Sequence, residues 1–196
     1  MPVRENKKNL ILEVSLRLFQ ERGYEGVSLL EICRECGITK PTFYRYISSK
    51  EQLLRYYFRG SVADVLNAMN KCDPENHWER LFIGLTYTME QNTKLGWDLY
   101  SRYWILNMSE ASDILPYESE VRNATVSEIR KAQETGQIRN QSDPEQLYVL
   151  CRNIELGFIM KWCMSRAVFD LVHHCREDIE AALQVDHEKI RQDLLD

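Results

Sequence analysis

Lys40, Thr42 and Arg45 place an ammonium, a hydroxyl and a guanidinium in one short segment, with the phenols of Tyr44 and Tyr46 interleaved. None is a nucleophile beside a base, and none has a metal-ligating partner at useful spacing. What the set can do is donate hydrogen bonds to phosphate oxygens and to base edges in a groove of duplex DNA. Lys50 stands at the start of the next predicted helix, where an ammonium and the positive end of the helix dipole would together clamp a phosphate.

The flanking residues predict elements that would present such a set. Ser28 and Glu31 have capping-box spacing and open a short helix that should stop at Cys36, because Gly37 can take the left-handed conformation. Thr39 is the expected N-cap of a second helix with Pro41 in its first turn, and Ser48 with Glu51 repeats the capping box for a third. On a wheel of about 100° per residue, Phe43 and Ile47 share one side while Pro41, Thr42, Tyr44 and Arg45 occupy the other. A short Gly-containing turn between two such helices is the spacing of a DNA-binding helix-turn-helix, whose second helix reads the major groove.

The wider run from Ile11 to Ser28, the motif that follows it and Lys50-Glu51-Gln52-Leu53-Leu54 closely resemble the N-terminal domain of the tetracycline-repressor (TetR) family. The resemblance covers about residues 8 to 58 and sets Phe19, Gly23, Gly37, Tyr44 and Lys50 at mutually correct distances. It implies three helices plus the start of a fourth, with DNA contacts at Lys40, Pro41, Thr42, Tyr44, Arg45, Tyr46 and Lys50. Cys33 and Cys36 replace a common alanine, Ile47 a frequent aromatic, and Leu30 a position often polar or basic, so the operator sequence does not transfer from relatives.

The 196-residue chain is 44% hydrophobic and 28% charged, ordinary globular material, with a formal net charge of −5. That balance is unevenly distributed. Residues 1 to 60 hold 11 Lys and Arg against 7 Asp and Glu, a net +4, leaving 14 against 23, a net −9, for the rest. No N-terminal apolar h-region and no run of about 18 apolar residues occurs, so a cytoplasmic protein without a membrane span is expected. The six cysteines have irregular spacing and read as reduced thiols. Cys33-Arg34-Glu35-Cys36 lacks the second pair a zinc site needs. His173-His174-Cys175 is discounted as a metal site because adjacent helical residues point in different directions. No cofactor is expected.

Beyond residue 60 the pattern is helical throughout, giving an all-α fold: a three-helix head (residues 1–58) joined by a long fourth helix to a helical ligand-binding and dimerisation domain (residues 59–196). One helix is predicted from Ser48 to about Met69, the next from Asp73-Pro74-Glu75 to Gln91, then Leu95 to Asn107, Pro116 to Thr135 with Gly136 as its stop, and Pro144 to Ser165 behind a capping box at Ser142. In the last of these, Leu147, Leu150, Cys151, Ile154 and Phe158 form one stripe and Leu156, Ile159, Met160 and Cys163 spread around it. So much apolar surface needs a cover. The resemblance supplies one, a homodimer built from about residues 144–165 and 170–185.

It also implies a small-molecule effector pocket whose occupation moves the fourth helix. Trp97, Tyr100, Trp104 and Met108 share a helical face, and with Phe158 and Trp162 they could line such a pocket or be plain core. Glu90, Asp98 and Glu155 could each be a buried carboxylate for an organic cation or simply solvated. The leading reading is a ligand-responsive dimeric regulator, a repressor, on a palindromic DNA operator. The alternative is a regulator of this scaffold that acts through a protein partner. An enzyme is disfavoured: there is no Gly-rich phosphate loop, no nucleophile elbow and no catalytic setting for His77, His173, His174 or His187.

Overall fold

The computed structural model describes residues 3–109 and 119–195. Among them the chain forms eleven helices and no strand, with one isolated antiparallel bridge between Ile138 and Val185. Its contacts divide it into two units, drawn from residues 1–59 with 92–114 and from residues 60–91 with 115–196. No described helix is long and apolar enough to cross a membrane.

The first unit holds α1 (Val3–Arg22), α2 (Leu29–Glu35), α3 (Lys40–Tyr44), α4 (Lys50–Tyr57) and α7 (Trp97–Ser109). Its core is built from Ile11, Leu18 and Phe19 of α1, Ile32 of α2, Phe43 and Ile47, and Leu53 and Leu54 of α4, all fully buried. The ends of α2 follow the expected chemistry. The Ser28 hydroxyl accepts from the Glu31 N–H at 3.2 Å, and the Glu31 carboxylate accepts from the Ser28 N–H at 2.8 Å. After Cys36 the chain reverses through Gly37 at φ +62°, while the Ile38 and Gly37 N–H groups donate to the Cys33 and Arg34 carbonyls. That is a Schellman closure, and a side chain at this φ would be strained.

The second unit holds α5 (Val62–Lys71), most of α6 (His77–Thr93), α8 (Ser119–Glu134), α9 (Pro144–Met164), α10 (Leu171–Leu183) and α11 (His187–Asp193). Helix α9 packs between α8 and α10. Asp143 rather than Ser142 caps it, accepting from the Glu145 and Gln146 N–H groups at 3.0 and 3.1 Å. Its buried face is Leu147, Tyr148, Cys151, Glu155, Ile159 and Trp162, whereas Leu150 of the predicted stripe is exposed.

Further boundaries differ from the sequence-based expectation, among them the start of α7 at Trp97 rather than Leu95. The helix predicted from Ser48 to Met69 is two: α4 ends at Tyr57, and α5 begins anew with Ser61 accepting from the Asp64 N–H at 3.2 Å. An apolar period running through both pieces hid the break, but Gly60 weakens a helix and Ser61 caps one. Gly60 also lies so close to Thr88 that a Cβ would stand 3.2 Å from its methyl. The cap of α4 is Ser49, bonded to the Gln52 N–H, rather than its neighbour Ser48. Asp73 closes only a turn onto the Glu75 N–H, and the start of α6 falls to Asn76, whose amide oxygen accepts from the Glu79 N–H at 3.0 Å. Gly136 follows α8 as expected, while Pro116 lies outside the described residues.

Two buried charges shape the second unit. Glu128 is ringed by His77 (2.8 Å), Lys131 (3.0 Å) and Arg80 (3.3 Å); burial pulls its carboxyl pKa up, but these partners outweigh burial and hold it low. Glu155, 2% exposed, has Arg152 of its own helix as partner, and Arg152 also donates to the Leu85 carbonyl. Here burial wins over the attraction, and the carboxyl is pushed up to about 7. The close approach of α6 to α8 rests on Gly84: a Cβ there would overlap Thr125 Oγ1, and that hydroxyl is fully buried and bonded to the Val121 carbonyl.

Gly84→Ala is therefore expected to lower the urea midpoint without changing the slope, at a cost of about 1–3 kcal/mol. Glu155 gives a pH signature. Because its folded pKa is above the unfolded value, its contribution to stability is largest below about pH 4.5 and is lost as pH rises through about 7. Compared with Glu155→Gln, the parent should lose up to about 1.4 kcal/mol per pH unit across that window, measured by denaturant unfolding. A flat difference would contradict the burial of an ionisable carboxyl.

Candidate nucleic-acid interface

Helix α3 is short because both ends are fixed within a few residues. Thr39 in extended conformation accepts from the Thr42 N–H at 3.4 Å, Pro41 sits in the first turn, and Arg45 is the C-cap. Phe43 and Ile47, 0% and 1% exposed, anchor one flank in the core of the first unit. On the other, Lys40, Pro41, Tyr44 and Arg45 are exposed, and Thr42 and Tyr46 are half-buried. Thr42 shares a hydroxyl pair with Thr39 at 3.0 Å, and the Arg45 guanidinium lies 5.9 Å from the Tyr46 ring centroid. None of these six side chains is held in an ion pair with a carboxylate among the described contacts, so the two cations keep donors for an incoming anion.

Lys50 has a different setting from the other six. Its ammonium donates to the Tyr24 carbonyl at 2.5 Å and lies 4.0 Å from the Tyr24 ring centroid, and burial lowers its pKa below the usual lysine value. Tyr24 is tied at both ends. Its N–H donates to Asp98 Oδ2 of α7 at 2.8 Å, its ring meets Phe19 at 5.0 Å, and the adjacent Glu25 pairs with Arg102 of α7 at 3.0 Å. Tyr24, Asp98 and Arg102 have no place in the sequence reading of the interface. Asp98 was legible only as an acidic residue of uncertain placement, since nothing local marks a partner 74 residues away.

The thiols of α2 are packing groups. Cys33 is buried and Cys36 half-buried, and burial pushes the Cys36 pKa to about 11 and raises that of Cys33, so both stay protonated near neutrality. Leu30, on the same helix, is 52% exposed.

The aromatic candidates for an effector pocket fall in separate units. In the first, Tyr100 and Tyr103 stack on Phe58 at 5.2 and 4.6 Å, Trp104 is buried with no described partner for its indole N–H, and Trp97 is partly exposed. In the second, Phe158 is half-buried against Phe169, and the buried Trp162 donates its indole N–H to the Phe169 carbonyl at 3.1 Å. Of the candidate carboxylates, Glu90 is exposed, Asp98 is the acceptor for Tyr24, and Glu155 is the buried one.

Residues 11–57 match the family model described as bacterial regulatory proteins, tetR family. The HTH-type transcriptional regulator YuxN of Bacillus subtilis strain 168 is 33% identical over 121 residues, covering 60% of this chain and 38% of YuxN. The chain thus spans little more than a third of that relative. A TetR transcription regulator from Haloarcula marismortui ATCC 43049 superposes with a TM-score of 0.63 at 15% identity, over 92% of this chain and 97% of that one. AibR, solved in complex with isovaleryl coenzyme A and operator DNA, gives 0.51 at 22% identity over 92% of this chain and all of its own. At such identities the likeness is one of fold. The matched span coincides with the capped helices around α3, and in those N-terminal helices the chain is similar to the tetR family of bacterial regulatory proteins.

Proposed function

We propose that the protein is a cytoplasmic, ligand-responsive dimeric transcription regulator, a repressor that reads a palindromic operator through α3 and leaves it when a small molecule binds the second unit. The observation that carries this reading is the division of α3 into a buried flank, Phe43 and Ile47, and an outward flank bearing Lys40, Pro41, Tyr44 and Arg45. Arg45 and Thr42 would meet base edges, and Lys40, Tyr44 and Tyr46 the neighbouring phosphates. Lys50 would keep a place in the set, since an ammonium has three donors and the Tyr24 carbonyl occupies one.

Dimerisation is supported by Val149 and Leu150 of α9, 50% and 42% exposed on the helix whose other face is core. A second copy, packing α9 and α10 against their equivalents, would cover them and relate two α3 helices by a two-fold axis. Half-site centres would then lie about 34–36 Å apart or at a multiple of that. AibR, crystallised with both an acyl coenzyme A and operator DNA, supports a coupling between a ligand and the operator. An effector can release DNA only by its differential affinity for the two states, about 5.5 kcal/mol for a near-complete switch.

Selection from random duplexes should yield a near-palindrome. Its binding should fall with salt at a log-log slope of about −0.9 per phosphate neutralised, and Lys40→Ala, which removes one phosphate contact from each half-site, should reduce that slope by about two units. Arg45→Ala should cost about 1–3 kcal/mol per half-site and relax preference at one position of each half. Weak binding that is uniform across sequences would shift the assignment to a regulator working through a protein partner. For the dimer, sedimentation should give twice the 23.2 kDa chain mass, and Leu150→Glu should move it to the monomer with helicity retained. A parent that sediments as a monomer would remove the two-fold operator from the proposal.

A further inference from the structure

His173, His174 and Glu177, near the start of α10, converge on one point of the surface. Taking about 100° per residue, Glu177 projects between the two histidines, so neighbours that diverge from each other can still meet the same carboxylate one turn on. His173 Nε2 lies 3.7 Å from Glu177 Oε1, His174 Nδ1 lies 3.1 Å from Glu177 Oε2, and the three candidate ligand atoms fall within 4.8 Å of one another. The sequence reading weighed His173 and His174 with Cys175, which is buried, and did not include Glu177.

We propose that this cluster is a binding site for a divalent first-row transition-metal ion, held by His173, His174 and Glu177. Metal–ligand bonds of about 2.0–2.2 Å place tetrahedral donors roughly 3.3 Å apart; each imidazole lies near that distance from one oxygen of Glu177, at 3.1 and 3.7 Å, and the three ligand atoms, within 4.8 Å of one another, would draw in by side-chain rotation on binding. Two imidazoles and one carboxylate suit zinc, nickel, copper or cobalt and are a poor match for calcium or magnesium, which take oxygen. Supporting groups are in place. The His174 ring packs on Phe169 at 5.5 Å between centroids, and Phe169 packs on Phe158 at 6.4 Å, which limits the orientations of the imidazole. His174 and Glu177 open onto a groove of about 360 Å³ lined also by Asp178 and Lys161, so Asp178 adds a second negative charge and the Lys161 ammonium opposes one of the two. The remaining coordination positions face solvent and take water. The site belongs to the second unit and does not depend on the function proposed for α3.

The test is a titration of the untagged full-length chain with cobalt(II), followed by visible absorption, with nickel(II) calorimetry for affinity. One ion per chain is expected, with ligand-field bands and no thiolate-to-metal charge-transfer band, which separates this site from the six cysteines. His174→Ala and Glu177→Gln should each weaken binding at least tenfold, and His173→Ala likewise, with unchanged far-ultraviolet dichroism because all three side chains are largely exposed. Saturable binding that survives His174→Ala at parental affinity, a thiolate band, or no saturable binding would each overturn the proposal.

Discussion

The first unit is organised around the backbone of one residue in the turn after α1. Tyr24 donates its N–H to Asp98 of α7, offers its carbonyl to Lys50 at the start of α4, and sets its ring against both Phe19 and the Lys50 ammonium. Three helices distant in sequence thus meet at a single residue. A buried N–H left without its acceptor costs about 1–3 kcal/mol, so α7 and the α1–α2 turn hold one geometry together. The stack of Phe58 on Tyr100 and Tyr103 repeats the tie at the far end of α4. Since α2 and α3 are positioned from that turn, the orientation of the outward flank of α3 is set by residues that never reach it.

What could be read from the sequence was local. Ser28, Gly37, Thr39 and Pro41 act within four residues of themselves, and each does in the structure what its spacing predicts. The burial of Phe43 and Ile47 followed equally from periodicity. The misses have two sources. Where two capping residues adjoin, as at Ser48 and Ser49 or Ser142 and Asp143, spacing alone does not choose between them, and the helix takes the one whose oxygen reaches the free N–H groups. Where a partner lies far along the chain, as Asp98 does for Tyr24, no local pattern exists to be read. The break at Gly60 and Ser61 belongs to both classes, a cap signal overridden by a continuing apolar period and reinforced by the distant Thr88.

The second unit resolves its buried charge in two unlike ways. Glu128 is surrounded by three basic groups on α6 and α8 and stays ionised, a cross-link between helices. Glu155 has one partner on its own helix, is the more deeply desolvated, and titrates near neutrality. Burying an ion pair seldom gains stability over apolar packing, so the second arrangement is a cost carried in the middle of α9.

The separation of the two flanks of α3 has a consequence for how such a protein changes over time. Lys40, Pro41, Tyr44 and Arg45 contribute little to the core, whereas Phe43 and Ile47 contribute nothing to the outer surface. Replacing the former leaves the fold nearly as stable as before, because exposed substitutions commonly shift stability by under about 0.5 kcal/mol. Under the proposed reading of DNA by α3, gene duplication followed by drift at these four codons would redirect a copy to new genomic addresses without first passing through an unfolded intermediate.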